Sequence, residues 1–310
     1  MNEHNNPLLC DTTTGMCELP VARATGLHEK IEVKNQKLKI LYFTDPICST
    51  CWGIEPQLRR LKLEYGNEVA IEYYMGGLLP DWSYNSGGIS KPSDVAHHWD
   101  EVSAFYKMPI DGDVWLDDPL PSSYPPSIAF KAAQMQDDTK ALAFLRRLRE
   151  MVFLEKKNIT HWEHLAIAAR ETGLDSQQLQ KDYKGAAKTA FEADLAKAKQ
   201  MGVRGFPTLF IVNGEGAEEK IYGFKPYSVF ESSIVKLQPR AKAVPYHKDG
   251  AALFKKFPTL TTREFAELAD LSWGEAEARL ETLQQQKKLD KLVTKNGAIW
   301  RWHSTQVETP

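Results

Sequence analysis

Nowhere do these 310 residues run about 18 apolar residues without a break, so no membrane-spanning helix is expected. An excess of either charge is missing too: 39 Lys and Arg face 41 Asp and Glu, a formal net charge of -2. So balanced a chain has no bulk field to draw it to nucleic acid or to an anionic membrane. The first thirty residues lack a basic stretch leading into an apolar core, so they do not read as a secretory signal, and a cytoplasmic location is expected. Internal repeats and low-complexity tracts are also absent.

Cysteine is scarce. Four in 310 residues cannot staple a scaffold, and the number suits a reducing compartment. Placement matters more than number: Cys10 and Cys17 lie near the start, Cys48 and Cys51 flank two residues, and no cysteine follows.

What is present is a soluble globular composition, 42% hydrophobic and 26% charged, at a length that allows more than one domain. Residues 1–37 read as an N-terminal arm. Leu38 to Thr44 form a β-prone apolar run that stops at Asp45-Pro46. Ile54, Leu58, Leu61 and Tyr65 then mark one face of a helix that Pro56 kinks or restarts. A second strand from Val69 runs into a Gly-rich turn, completing strand, helix, strand.

Residues 91–202 change character, with helices expected at 92–106, 126–136, 140–156, 162–172, 176–183 and 186–201. Thr160 with Glu163 has capping-box spacing, and Asp175 precedes another helix as a cap. The α/β pattern resumes at Gly205-Phe206-Pro207-Thr208-Leu209-Phe210, with Asn213-Gly214 as a hairpin turn. The expected organisation is one α/β domain, 38–90 with 203–239, interrupted by the helical insertion 91–202. A small module follows at 240–310. Its two helices, 262–269 and 273–285, and a hairpin resemble the latter part of a winged helix.

A cysteine pair at a strand-to-helix junction suits disulfide chemistry. Unsatisfied backbone N–H groups at a helix start favour a thiolate on the first sulfur, and the second is close enough to resolve a mixed disulfide. On that logic Cys48 attacks and is the more exposed, while Cys51 is buried and resolves. Zinc is disfavoured, because the remaining cysteines are too widely spaced to complete four ligands. No cofactor and no metal is expected.

With Asp45-Pro46-Ile47-Cys48-Ser49-Thr50-Cys51-Trp52 and the distant Gly205-Phe206-Pro207-Thr208, the chain resembles the DsbA-like thioredoxin superfamily over about residues 38–238. The resemblance implies a thioredoxin fold with a large α-helical insertion, catalytic Cys48 and Cys51, and a substrate face at Trp52, Phe206 and Pro207. It further implies a cis Pro207, with the Phe206 backbone free to pair with a bound polypeptide or thiol. Two departures stand out. Tyr42 occupies the place of the buried acid that accepts the resolving thiol's proton, which leaves Asp45 to be read as a turn or cap residue, and Ser49-Thr50 is an unusual intervening pair.

Counting the insertion, with Tyr124-Pro125-Pro126-Ser127, and the added tail, the chain is most similar to bacterial cytoplasmic adapters that deliver the transcription regulator Spx to the ClpXP protease. Two functions therefore stand open. One is a dithiol–disulfide oxidoreductase acting on protein or small-molecule disulfides; the other is a redox-sensitive adapter for a regulator or a protease component. Cys10 and Cys17 bracket a turn-forming loop and are candidate auxiliary redox residues, either a relay or two structural thiols.

The tail offers little to phosphate: Glu275, Glu277 and Glu281 outnumber Arg279 on its second helix, and Trp273, Ala276, Leu280 and Leu283 read as a packed face. Partner or intrachain docking is expected in place of DNA binding. His97, His98, His161 and His164 are expected at surface or cap positions. For Trp82, Trp99, Trp115 and Trp162, core packing is expected over a cleft lining.

Overall fold

The computed structural model describes residues 37–83 and 91–303, together with the backbone of 10–11 and 16–18. Two short strands come first, β1 (Cys10–Asp11) and β2 (Met16–Glu18). Then follow β3 (Leu38–Thr44), α1 (Ser49–Gly53), α2 (Glu55–Tyr65) and β4 (Val69–Met75). The insertion carries α3 (Pro92–Tyr106), α4 (Val114–Asp117), α5 (Tyr124–Gln136), α6 (Asp138–Leu154), α7 (Trp162–Glu171), α8 (Ser176–Lys184) and α9 (Ala186–Gln200). The chain returns through β5 (Gly205–Phe206), β6 (Thr208–Val212), β7 (Glu218–Tyr222) and α10 (Tyr227–Leu237). It ends with α11 (Gly250–Lys256), β8 (Thr259–Thr261), α12 (Thr262–Ala269), α13 (Trp273–Gln285), β9 (Leu289–Thr294) and β10 (Gly297–Trp302).

The central sheet has the order β4-β3-β6-β7, with β3 parallel to β4 and antiparallel to β6. β3 reads as nearly continuous apolar residues because it lies between two neighbours and is buried along almost its whole length. Phe43 stacks on Tyr74 at 5.1 Å and meets Phe210 edge-on at 5.9 Å, joining three strands on one side. The α/β architecture with a large helical insertion matches the fold expected from the sequence.

Local chemistry explains where the elements begin and end. Ile54 interrupts the helix after Cys51, so that α2 starts afresh with Pro56 in its first turn, where a missing N–H costs nothing. Asp175 caps α8 by accepting from the Gln177 and Gln178 N–H groups. Two expectations fail locally. Thr160 does not cap α7; its hydroxyl donates to Asn158 Oδ1 at 2.6 Å and His161 takes the cap position. Asn213-Gly214 does not form a two-residue turn, because the Asn213 carboxamide oxygen accepts from the N–H groups of Glu215 and Ala217 and opens a longer loop.

The C-terminal segment has its own apolar core around Leu253, Phe265, Leu280 and Trp300. Its sheet, β8-β10-β9, contains a third strand that the sequence pattern did not suggest. Ala276 and Leu280 are buried as expected, but Trp273 at the helix start is 37% exposed. The segment docks on the rest of the chain through charge: Glu264 is fully buried and takes two hydrogen bonds from Arg146, at 2.8 and 3.0 Å, with Arg59 3.2 Å away. Asn296 and Lys295 hold the opposite end against Ile110, Asp100 and Asp113.

Candidate active site

The dithiol sits where β3 hands over to α1. Asp45 makes the turn: Oδ1 accepts from the Ile47 N–H at 3.0 Å, and Oδ2 accepts from the Leu78 N–H and the Ser123 hydroxyl, each at 2.8 Å. Burial lifts its carboxyl to about 6 despite those three donors. Cys48 is the N-cap of α1, its Sγ accepting from the Cys51 N–H at 3.2 Å.

Cys48 and Cys51 are not joined to each other in a disulfide and both are wholly buried, so Cys48 is not the more exposed of the two. Their electrostatics also differ from the sequence expectation. Burial, together with the hydrogen bond and charge of Cys51, pushes the Cys48 thiol well above its ordinary value. Burial acts against the Cys51 thiolate as well, but the Cys48 hydrogen bond, the Arg149 guanidinium and the Thr44 and Tyr42 hydroxyls outweigh it and bring Cys51 down. The helix-start argument fails for Cys48 because α1 has only five residues and no water reaches the sulfur.

Arg149 is the residue that sequence reasoning missed. It is fully buried on α6, with Nη1 on Glu55 at 2.5 Å and Nη2 on Thr44 Oγ1 at 2.6 Å, and Thr44 in turn donates to the Tyr42 hydroxyl at 3.1 Å. Tyr42 thus stands at the position where the resemblance implies an acid, and with Thr44 and the Arg149 cation it favours the Cys51 thiolate. One signal was available: Leu145, Leu148 and Val152 define the buried face of α6, and Arg149 lies on it.

The Phe206–Pro207 peptide is cis and leads into Thr208, which pairs with Phe43 near the end of β3. Phe206 and Pro207 are both buried, and β5 pairs with β2, Cys17 opposite Phe206 and Glu18 opposite Gly205. The Phe206 ring lies on Gly76: a Cβ there would sit 1.7 Å from Cζ. Gly76→Ala is therefore expected to lower stability by roughly 1–3 kcal/mol through overpacking, because neither the strand end nor the buried ring can yield. A chemical denaturation curve superimposing on the parent's would contradict this.

Trp52 lies elsewhere than on an open face. Its Nε1 donates to the Pro109 carbonyl at 3.0 Å, its ring stacks on Phe153 at 5.6 Å, and the Arg146 guanidinium covers it at 4.3 Å. Trp99, Trp115 and Trp82 continue this aromatic packing, while Trp162 pairs separately with Tyr183. His161 faces Asp118 at 3.1 Å near the start of α7, and His97 faces Glu101 at 3.2 Å. Among the described residues no group of three or more His, Cys, Asp or Glu could hold a metal, and no helix is long and apolar enough to cross a membrane. The side chains of Cys10 and Cys17 lie outside the described residues.

A family model described as Thioredoxin, Thioredoxin_5, matches residues 41–232. The chain belongs to the thioredoxin family. This thioredoxin-family chain is 35% identical to the ClpXP adapter protein SpxH of Halalkalibacterium halodurans, covering 97% of itself and 99% of that protein. It is 31% identical to the SpxH of Bacillus subtilis, covering 86% and 90%. Its fold is shared with a putative protein disulfide isomerase from Nitrosomonas europaea, at a TM-score of 0.55 and 19% identity over 66% of this chain and 96% of that one. The cytosolic disulfide reductase DsbM from Pseudomonas aeruginosa gives a TM-score of 0.52 and 20% identity, over 64% and 99%.

Proposed function

We propose that this chain is a redox-responsive polypeptide adapter. It holds a protein partner, a transcription regulator bound for an ATP-dependent protease, and its Cys48/Cys51 dithiol governs how that partner is held. The observation that carries the reading is the extent of the likeness: the adapter relative is matched over 97% of this chain, whereas the likeness to the disulfide isomerase structure ends at 66%. The residues beyond the family match, which ends at 232, include the C-terminal segment, which is clamped to α2 and α6 through Glu264. In this reading the protein works in the cytoplasm as four units, 1–37, 38–90 with 203–239, 91–202 and 240–310.

A second reading, a DsbA-like thiol–disulfide oxidoreductase, is favoured by the dithiol itself, which stands reduced at a helix start, and by the cis Pro207 at the entrance of β6, the strand paired with the one that leads to the dithiol. Cys48 would attack a substrate disulfide and Cys51 would resolve the mixed species, with the Phe206–Pro207 edge aligning the bound chain and Trp52 bracing the dithiol helix from behind. Replacing Cys48 by Ala separates the two. The adapter keeps its partner in a pull-down from cytosol while losing the response to reductant, whereas the oxidoreductase loses all turnover of insulin or glutathione disulfide. Recovery of neither a regulator nor a protease component by the parent chain would sink the adapter reading. Absence of turnover in the parent would sink the other.

A further inference from the structure

β5 lies outside the four-stranded sheet, and its backbone partner is β2. Without β2, the edge of Gly205 and Phe206 would present unpaired N–H and C=O groups beside the dithiol, the kind of edge to which an extended polypeptide adds as a strand. The chain's own N-terminus already fills it. β2 pairs in turn with β1, with Cys10 directly opposite Cys17. Residues facing each other across an antiparallel pair have Cα atoms about 4.5–5.5 Å apart, inside the span of about 4.4–6.8 Å that a disulfide bridges. β2 also runs beside α1, the helix that Cys48 caps. Three independent features therefore converge: a strand on the docking edge, a cysteine pair in disulfide register, and a dithiol with no solvent access.

We propose that the Cys10–Cys17 hairpin is an intrachain substrate of the Cys48/Cys51 dithiol, docked as an added strand on β5 so that it competes with any partner polypeptide for that edge. The proposal rests on the dithiol being redox-competent, and it names the first substrate that the dithiol meets. When a small disulfide such as glutathione disulfide has oxidised Cys10 and Cys17, Cys48 Sγ attacks Cys17 Sγ and passes its proton to the Cys51 thiolate. The Cys10–Cys17 bond breaks and Cys10 leaves as a thiolate. Cys51 then attacks Cys48 Sγ, giving its proton to Cys10, and Cys17 leaves as a thiolate. Two electrons have moved from the inner pair to the outer one, with protons conserved. Cys17 is the sulfur attacked because it lies on the strand that adjoins both β5 and α1.

The test uses the full chain with Cys51→Ser, which cannot resolve a mixed disulfide. After treatment with glutathione disulfide and acid quench, non-reducing peptide mass spectrometry should find Cys17 joined to Cys48. A Cys10–Cys17 disulfide that persists in the parent chain while Cys48 and Cys51 stay reduced overturns the exchange. A second variant, Cys17→Pro with Glu18→Pro, removes both backbone donors that could bind β5. Alkylation of Cys48 should then accelerate by about tenfold or more, as expected when a docked element no longer has to open. Unchanged alkylation overturns the docking. Treatment of the proline variant with glutathione disulfide separates this inference from the reading beneath it: no Cys48–Cys51 disulfide at all means the dithiol is not redox-competent, while that disulfide together with unchanged Cys48 alkylation defeats the hairpin proposal alone.

Discussion

Glu264→Ala is expected to cost about 3–5 kcal/mol of stability, the range found when one member of a buried charge network is removed and the rest stay buried. The side chain is fully buried, yet it answers two guanidinium groups that are themselves only 12% and 8% exposed, Arg146 and Arg59. It also accepts the Thr261 N–H at 2.7 Å, completing the capping box that starts α12. Alanine leaves two cations facing each other across a dry gap and takes from the Thr261 N–H its acceptor, while the Thr261 hydroxyl still caps the helix. With a urea dependence of about 3 kcal/mol per M for a chain of this size, the unfolding midpoint should fall by roughly 1–2 M. A loss under about 0.5 kcal/mol, the range of an ordinary surface substitution, would mean that the clamp holds nothing.

Acid should act in the same direction. Burial alone would raise the Glu264 carboxyl, but Arg146 and Arg59 outweigh it and its value is lowered in the folded chain. A carboxylate held below its unfolded value of about 4.3 contributes stability that is fully present above that pH and is lost as pH falls through the folded value. The difference in stability between parent and Glu264→Gln should accordingly shrink as the pH is taken below about 4.

The parts of this architecture that were legible in the sequence are those written locally. Leu38 to Thr44 is a strand on its own pattern, Cys48 and Cys51 follow it at once, and Phe206-Pro207 announces itself by residue type. Arg149 is different in kind: it meets Thr44 across 105 positions of sequence, and no local pattern tells which buried group a helix will bring it to. β1 and β2 escaped because strands of two and three residues carry no readable period, and they exist by pairing with β5. The expectation that Cys48 is the more exposed thiol failed because it assumed a solvated helix start, whereas Cys48 lies at a dry one.

That dry start makes Arg149 the residue on which the dithiol's chemistry turns. It lies close enough for its charge to pull the Cys51 thiol down, and it supports Thr44 and Tyr42, which act on the same sulfur. Arg149→Met, close in volume but uncharged, should raise the Cys51 thiol, and at neutral pH alkylation under denaturant-free conditions should slow by about tenfold. The redox consequence has a definite sign. A thiolate stabilised by Arg149 favours the reduced form, so its loss should shift the equilibrium with glutathione towards the Cys48–Cys51 disulfide, a tenfold shift corresponding to about 30 mV. Because Met also leaves the Glu55 carboxylate without its 2.5 Å partner, part of any effect could come from weakened folding. Arg149→Lys resolves that ambiguity: it keeps the charge and gives up the fork, so it should restore the pH profile and potential most of the way while leaving the Thr44 contact unmade. A Met variant that folds and titrates like the parent would show that Cys51 is set by Cys48 alone, and the thiolate site would then be a property of the cysteine pair without its buried cation.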